Sequence, residues 1–256
     1  MTSPTLSSSI DLSGRRVLVT GAASGIGRAC AVRLAASGAE VLAMDVDAEH
    51  VNRVAEEVGG VAVVADLAGA TFLDGLRGDV DIVVNNAGFQ LVRPVEDFPA
   101  ESFATILKVM LEAPFRLISH VLPHMYEKGW GRVVNISSVH GLIASPHKAA
   151  YVSAKHGLQG LSKVVALEGA ERGVTSNCIN PGYVRTPLVE NQIADQARVR
   201  GISEDRVISE VLLERSALKR LLEPEEVAEM AAYLCSSAAS SITGASMVMD
   251  GGWTAH

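Results

Sequence analysis

A short apolar segment, a glycine-rich turn and a helix-forming stretch follow one another near the start of the chain. Residues 16–20 have the length of a buried strand, and glycines stand at positions 21, 25 and 27 of the turn that follows. Residues 28–37 are expected to form a helix that stops at Gly38. Glycine permits the tight turn, lets an anionic group approach the backbone and allows close packing of helix on strand. The pattern therefore predicts a strand–turn–helix unit that binds the pyrophosphate of a dinucleotide.

The same alternation of short β-branched segments and longer amphipathic segments continues along the chain. Parallel pairing of the strands follows, because parallel strands need such helical crossovers. We expect an α/β fold, a Rossmann-like doubly wound sheet of seven parallel strands with helices on both faces. The predicted strands are 16–20, 40–45, 61–65, 81–85, 132–137, 175–179 and 246–249.

Two regions are expected to depart from this regular pattern. The stretch 101–128 has helical periodicity, but Pro114 and Pro123 each remove a helix donor, so kinks or a break are expected there. Residues 188–222 form an unusually long connection with charges of both signs, which predicts a substrate lid. The alternative is a solvated pair of helices with no role in the site.

The composition restricts the class of protein. The chain has 256 residues, 48% of them hydrophobic and 20% charged, which indicates a globular protein. The net charge is −7, with no Lys/Arg block for nucleic acid. No apolar run reaches the roughly 18 residues of a membrane span.

Cys30, Cys178 and Cys235 suggest neither disulfides nor a metal site, and the absence of a secretory signal favours the cytoplasm. Residues 1–10 are expected to be a flexible tail before a single domain, 11–256.

An acidic residue at the end of the second predicted strand bears on the choice of dinucleotide. Asp45 stands 18 positions after Gly27. A carboxylate there can accept hydrogen bonds from both adenosine ribose hydroxyls and would repel the 2′-phosphate of NADP. Ser24 is uncharged, and no Arg or Lys stands beside it to hold a phosphate. NAD is therefore the predicted cofactor, and the alternative is that Asp45 is only a turn residue.

A tyrosine and a lysine four residues apart suggest acid–base chemistry. Tyr151 and Lys155 lie in a predicted helix, where this spacing places both side chains on one face. Because a nearby ammonium stabilises a phenolate, Lys155 is expected to lower the pKa of Tyr151 towards the neutral range. Ser138, at the end of a predicted strand, can hydrogen-bond a substrate oxygen. Taken alone, the pair also fits a half-buried tyrosine beside a surface lysine.

These motifs occur together and in order, and over nearly its whole length the chain resembles the short-chain dehydrogenase/reductase family. The other matching motifs are Asp66-Leu67, Asn85-Asn-Ala-Gly88 and Pro181-Gly-Tyr-Val-Arg-Thr186. The resemblance implies that Ser138, Tyr151 and Lys155 are catalytic, and that the protein forms a homotetramer. It implies a dinucleotide site made of Gly21, Ser24, Gly25, Ile26, Gly27, Asp45, Asp66, Leu67, Asn86, Tyr151, Lys155, Pro181, Gly182, Val184 and Thr186.

Within this family, the segments around the site are similar to those of the bacterial 3-hydroxybutyrate dehydrogenases. The likeness lies in residues 85–99, 138–141, 148–151, 186–193 and 250–256. It implies a small hydroxy or keto acid as substrate, with its carboxylate held by Gln90, His140, Lys148 and Gln192. The full implied substrate site is Gln90, Ser138, His140, Lys148, Tyr151, Gln192 and Trp253.

The helix angles are consistent with a polar stripe for such an anion. If the helix that carries Tyr151 already runs through Lys148, those two side chains and Lys155 fall on one side of it. Ser145 would then cap this helix, and Pro146 would begin it. A fixed cation on such a stripe suits a short carboxylate.

The expected reaction interconverts (R)-3-hydroxybutyrate and acetoacetate by hydride transfer between C3 and NAD, with Tyr151 as general acid or base. No metal is needed. Two alternatives are another reductase of the family, such as one acting on 3-oxoacyl thioesters, and a dinucleotide-binding regulator without turnover. Met110 is the only feature that favours the regulator, because many members of the family have at this position an asparagine that takes part in a proton relay. A core-filling methionine is compatible with an active enzyme, since that asparagine acts largely through its backbone carbonyl.

Overall fold

A parallel sheet of seven strands runs through the chain. The computed structural model describes residues 10–255, apart from five side chains between positions 188 and 199, so nearly all of the predicted tail lies outside the described residues. The sheet has the order β3-β2-β1-β4-β5-β6-β7, which confirms the predicted fold class. Each predicted strand end lies within two residues of the observed one. The strands are β1 (Arg16–Thr20), β2 (Glu40–Asp45), β3 (Val61–Val64), β4 (Ile82–Asn85), β5 (Gly131–Ile136), β6 (Val174–Pro181) and β7 (Ser246–Met249).

Helices cover both faces of the sheet, and each face has its own apolar core. In β1, Val17 and Val19 belong to one cluster of buried residues and Leu18 to the other, because alternate side chains of a strand point to opposite faces. A sheet covered in this way buries both sides of its strands, which explains their continuous apolar runs. The helices are α1 (Gly25–Ala36), α2 (Ala48–Val58), α3 (Ala100–Leu107), α4 (Ala113–Lys128), α5 (Ala149–Gly169), α6 (Pro187–Arg200), α7 (Glu204–Val207) and α8 (Pro224–Cys235).

A π-helical segment, Lys108–Glu112, separates α3 from α4 within the stretch 101–128, for which kinks or a break are expected, although it ends before either proline. Pro114 lies in the first turn of α4, directly after the π-helical segment. Pro123 lies inside α4, which continues through it. Met110, in the π-helical segment, is 2% exposed and packs in an apolar cluster with Ala150 and Ala154 of α5. Its side chain therefore fills the core.

The long connection 188–222 is helical and has an apolar core of its own. It comprises α6, α7 and a second π-helical segment, Ile208–Leu212. Its buried members are Ile193, Val207, Leu212, Leu213 and Leu221. A separate small core lets a segment hold its shape apart from the sheet. Its action as a substrate lid stays a prediction.

The start of α5 differs from the conditional prediction made for it. The helix begins at Ala149, with Lys148 as its N-cap residue, so it does not run through Lys148. His147 has a φ of 67°, which is a left-handed conformation that an α-helix cannot include. Ser145 does not cap the helix, because its hydroxyl contacts the ring of His140. The expectation that Ser145 and Pro146 begin this helix is therefore wrong.

Candidate active site

A cleft with a cavity volume of about 470 Å³ opens at the carboxyl ends of the central strands. It lies where the strand order reverses, since β1 has β2 on one side and β4 on the other. Crevices at such points bind ligands in doubly wound folds. Gly27, Pro181, Gly182 and Val184 are outside its lining. The predicted dinucleotide residues that line it are Gly21, Ser24, Gly25, Ile26, Asp45, Asp66, Leu67, Asn86, Tyr151, Lys155 and Thr186.

The glycines of the first turn are required by close contacts. A Cβ atom on Gly27 would lie 2.0 Å from the carbonyl oxygen of Gly21. One on Gly21 would lie 2.7 Å from Nδ2 of Asn86. That same Nδ2 donates hydrogen bonds to the carbonyl oxygens of Thr20, at 3.0 Å, and of Gly21, at 3.2 Å. Asn86 therefore ties the glycine turn to the end of β4.

The start of α1 is suited to an anion. Its N-cap residue, Ser24, makes no side-chain capping hydrogen bond. The first N–H groups of a helix have no acceptor within the helix, and they carry a partial positive charge. They lie at a cleft that Ser24, Gly25 and Ile26 line. This arrangement can hold the phosphates of a dinucleotide.

The carboxylate of Asp45 lies beside the glycine turn. Oδ2 accepts a hydrogen bond from the backbone N–H of Ala23 at 3.0 Å, and Oδ1 accepts one from the N–H of Asp47 at 3.0 Å. Two carboxylate oxygens offer about four acceptor positions. Acceptor capacity therefore remains for ribose hydroxyls, and the orientation of the group is fixed by the backbone.

The segment after β6 shapes the other wall. Pro181 ends β6, and Val184 forms an isolated parallel bridge with Leu222. Thr186 is the N-cap residue of α6 and lines the cleft. Its Cγ2 atom would be 3.1 Å from a Cβ on Gly25. The starts of α1 and α6 therefore lie close together where both line the cleft.

Tyr151 and Lys155 line the same cleft from α5. The Nζ atom of Lys155 donates to the carbonyl oxygen of Ile136 at 2.6 Å, and it lies 5.6 Å from the centroid of the Tyr151 ring. Burial lowers the pKa of Lys155 to about 8. The side chain is therefore still largely a cation at pH 7.

The expected lowering of the tyrosine pKa by this lysine is not found. Burial raises the pKa of Tyr151, and a hydrogen bond with Ser138 opposes that rise. The prediction was wrong in direction because the removal of the phenolate from water outweighs the favourable contacts. The phenol form of Tyr151 is correspondingly favoured at neutral pH.

A second group of predicted site residues surrounds the ring of His140. Nδ1 lies 3.4 Å from Oγ of Ser138, and Nε2 lies 2.9 Å from Oγ of Ser145. The ring centroid is 6.0 Å from that of Tyr151 and 5.8 Å from that of Trp253. Burial, followed by the charges of Lys148 and His156, lowers the pKa of His140 to about 4. The structure thus brings a neutral imidazole, two hydroxyls and two aromatic rings together.

The other predicted carboxylate ligands lie on three different segments. Lys148 is partly buried at the start of α5, and this burial lowers its pKa. Gln90 is in the loop after β4 and Gln192 is in α6, and both are partly buried. In the described part of the chain, neither glutamine joins the hydrogen bonds around His140. That these residues hold one carboxylate stays a prediction.

Two residues that support this group were not singled out from the sequence for that role. One is Ser145, whose contact with His140 no spacing rule indicates. The other is Asp250, whose carboxylate accepts hydrogen bonds from the N–H groups of Gly252 and Thr254, each at 2.8 Å. This fixes the turn that carries Trp253. The Asp-Gly-Gly sequence is a turn signal that could have revealed the role of Asp250.

Metal and membrane sites are not found among residues 10–255. No helix there is long and apolar enough to cross a membrane. No three His, Cys, Asp or Glu side chains in this range form a group that could hold a metal ion.

The fold and the cleft define a nicotinamide-dinucleotide-dependent oxidoreductase. The family model described as enoyl-(acyl carrier protein) reductase matches residues 21–254, and the chain belongs to the short-chain dehydrogenase/reductase family.

The chain is similar over nearly its whole length to two dehydrogenases and to one crystal structure. The chain is 47% identical to a D-beta-hydroxybutyrate dehydrogenase of Rhizobium meliloti, covering 94% of this chain and 99% of the relative. It is 41% identical to an enzyme of the same name from Cupriavidus necator, covering 96% and 100%. A crystal structure of a putative NAD(P)-dependent gluconate 5-dehydrogenase from Beutenbergia cavernae, with bound NADP, has a TM-score of 0.85 and 36% identity, covering 96% of this chain and 99% of that one.

Proposed function

We propose that the protein interconverts (R)-3-hydroxybutyrate and acetoacetate with NAD as its cofactor. The observation that carries this proposal is the group that Ser138 and His140 form with Tyr151, which lines the cleft. The cation of Lys148 is close enough to this group to lower the pKa of His140. A small acid with an oxygen on C3 needs both a proton-transfer group and a cation. The names of the relatives from Rhizobium meliloti and Cupriavidus necator support the same substrate.

The residues of the cleft fit NAD. The start of α1 lacks a side-chain cap on its amides, and the close approach of Gly21 to Gly27 leaves no room for larger side chains. Asp45, held by the N–H of Ala23, would accept hydrogen bonds from the adenosine ribose and repel a 2′-phosphate. Bound there, NAD supplies the acceptor for the hydride that leaves C3 of the alcohol.

Proton transfer is the role that we assign to Tyr151. In reduction, its phenol protonates the keto oxygen, and the raised pKa favours this acid form. In oxidation, the phenolate takes the alcohol proton. Ser138 donates a hydrogen bond to the substrate oxygen, and Lys155, fixed by the carbonyl of Ile136, supplies a positive charge beside the tyrosine and a donor to the nicotinamide ribose.

The carboxylate of the substrate is assigned to Lys148, together with Gln90, His140 and Gln192. Lys148 stands at the N-cap of α5, so the positive end of that helix adds to its charge. Trp253, held by the Asp250 turn, forms an apolar wall beside the short carbon chain. We further propose that residues 188–222 close over the substrate, and that the enzyme works as a homotetramer in the cytoplasm.

A panel of short hydroxy acids tests the proposal. Both enantiomers of 3-hydroxybutyrate are assayed with NAD and with NADP, and NADH or NADPH formation is followed by absorbance. We expect turnover of the (R) enantiomer with NAD. Turnover only of 3-oxoacyl thioesters with NADPH would identify a different reductase, and turnover of nothing would favour a regulator.

Two variants connect this assay to the site. Tyr151→Phe should abolish turnover while NADH binding, measured by fluorescence, persists. Lys148→Ala should raise the KM for hydroxybutyrate by about 10- to 100-fold, since it removes a charged hydrogen bond to the carboxylate. Lys163→Ala, an exposed lysine further along α5, is the control and should leave KM unchanged. An unchanged KM in Lys148→Ala would contradict the substrate assignment.

A further inference from the structure

The side chain of Gln159, one turn of α5 beyond Lys155, connects three segments of the fold. Its Nε2 atom donates a hydrogen bond to Oγ of Ser137 at 3.2 Å, and its Oε1 atom accepts one from Oγ of Ser246, in β7, at 2.9 Å. Oγ of Ser137 in turn donates to the carbonyl oxygen of Lys155 at 3.4 Å. Gln159 is 7% exposed and Ser137 is 4% exposed. A buried line of hydrogen bonds therefore joins β7, α5 and the residue that follows β5.

The amide of Gln159 sets the direction of this line. Nε2 has only hydrogens to offer, so Oγ of Ser137 accepts from it. The single hydrogen of that hydroxyl is then left for the carbonyl oxygen of Lys155. Both ends of the amide have a partner, and a buried polar network whose members are satisfied is rigid.

Ser137 stands between the two residues through which the end of β5 takes part in the site. Before it, the carbonyl oxygen of Ile136 accepts the hydrogen bond from Nζ of Lys155 at 2.6 Å. After it comes Ser138, to which we assign the hydrogen bond to the substrate oxygen. The Ser137 hydroxyl therefore attaches the strand end to the backbone of the same residue whose ammonium is bound one position earlier.

The turn that follows Ser138 packs directly on the amide and the hydroxyl. A Cβ atom on Gly141 would lie 2.5 Å from Oγ of Ser137 and 3.0 Å from Nε2 of Gln159. The backbone N–H of Gly141 also donates to the carbonyl oxygen of Ser138 at 2.9 Å. The contact leaves no room for even a methyl group, and close-packed groups transmit displacements to one another.

We propose that Gln159 is a positioning residue that acts through Ser137 to hold Ser138 at its working distance from the acid–base groups of α5. The proposal rests on the proposed function, in which Tyr151 and Lys155 are those groups. Gln159 is not among the residues that line the cleft. Its effect on the reaction is therefore indirect.

Gln159→Met tests this role, because it keeps the approximate volume of the side chain and removes both of its polar ends. Misplacement of a catalytic group by a fraction of an ångström slows the chemical step. The rate of NADH formation in the first turnover, measured by stopped-flow absorbance at saturating NAD and (R)-3-hydroxybutyrate, should fall about tenfold. The KM for hydroxybutyrate should change by less than about threefold, because Lys148, the charged ligand of the carboxylate, is not part of this line.

A double-mutant cycle tests whether the effect passes through Ser137. Ser137→Ala should lower the first-turnover rate by a similar factor, since it removes the group on which Gln159 acts. The double variant should be within about twofold of the slower single variant, whereas independent losses would multiply.

Ser162→Ala is the matched control. Oγ of Ser162, further along α5, hydrogen-bonds Oγ of Ser176 at 2.9 Å, and both residues are buried. This bond joins α5 to β6 and not to the end of β5. Its loss should lower the free energy of unfolding in urea and leave the first-turnover rate within about twofold of that of the unsubstituted protein.

Each outcome bears on the proposal. A first-turnover rate of Gln159→Met within about twofold of the unsubstituted protein overturns it, and so does a double variant whose losses multiply. An equal loss of rate in Ser162→Ala also overturns it, because any buried hydrogen bond of α5 would then have the same effect. If Gln159→Met does not fold, the comparison of Ser137→Ala with Ser162→Ala decides in the same way. Failure of the proposed function is a separate result, in which the unsubstituted protein forms no NADH from hydroxybutyrate, and the same variants are then compared on the alcohol that it does oxidise.

Discussion

The imidazole of His140 should make the stability of the protein depend on pH. Its pKa in the folded protein is about 4, because burial and the charges of Lys148 and His156 disfavour the imidazolium. In the unfolded chain, the pKa of a histidine is about 6.5. The unfolded state therefore binds more protons between these two values. The contribution of the neutral imidazole to the free energy of unfolding is present above about pH 6.5 and is lost as the pH falls towards 4.

The size of the effect follows from the two pKa values. Between pH 7 and pH 5, the unfolded state gains about 0.7 of a proton at this position, and the folded state gains about a tenth of one. The free energy of unfolding should fall by about 2 kcal/mol over that range from His140 alone. This is a large part of the stability of an ordinary domain.

Urea unfolding at pH 7 and pH 5, at one fixed protein concentration, measures this loss. Other groups titrate in the same range, so the quantity of interest is the difference between the unsubstituted protein and His140→Gln. The variant should lose about 2 kcal/mol less than the unsubstituted protein between the two pH values. His147→Asn, at an exposed position before α5 where asparagine tolerates the left-handed φ, is the control and should behave as the unsubstituted protein does. Equal losses in His140→Gln and the unsubstituted protein would refute the reasoning.

Three further predictions concern the cleft. Gly27→Ala should destabilise the protein by about 1–3 kcal/mol in urea unfolding and abolish NADH binding, because its Cβ would lie 2.0 Å from the oxygen of Gly21. Ser24→Ala is the control, and it should keep the stability of the unsubstituted protein because Ser24 makes no side-chain capping hydrogen bond. Asp45→Asn keeps an acceptor for Ala23 but removes the charge, so kcat/KM with NADP should rise by about tenfold, and no rise would contradict the role of that charge. Alcohol oxidation should become faster as the pH rises above neutral, since the pKa of Tyr151 is raised, and a flat profile of kcat/KM would show that Tyr151 is not the base.

The sequence predicted the sheet and the cleft because both depend on local patterns. Runs of β-branched residues fixed the strands to within two residues, and the glycine spacing located the turn at the start of α1. The four-residue step from Tyr151 to Lys155 placed both side chains in one cleft, since helix geometry alone determines it.

Features that depend on distant parts of the chain were not predicted. The pKa of Tyr151 is set by how deeply the folded chain buries it, and no spacing rule reports that depth. The carbonyl of Ile136 that fixes Lys155 belongs to a strand 19 residues away in sequence. The start of α5 depends on a left-handed φ at His147, a conformation that is uncommon for any residue except glycine.

The contact between Met110 and Gly88 links two positions that would otherwise be free to change separately. A Cβ atom on Gly88 would lie 2.9 Å from Cε and 3.2 Å from Sδ of the methionine, so a larger residue at 88 would force the end of the methionine side chain to move. A shorter side chain at 110 would remove that conflict at the mouth of the cleft. We therefore expect the two sites to covary among homologous sequences, with alanine at 88 accompanied by a smaller residue at 110.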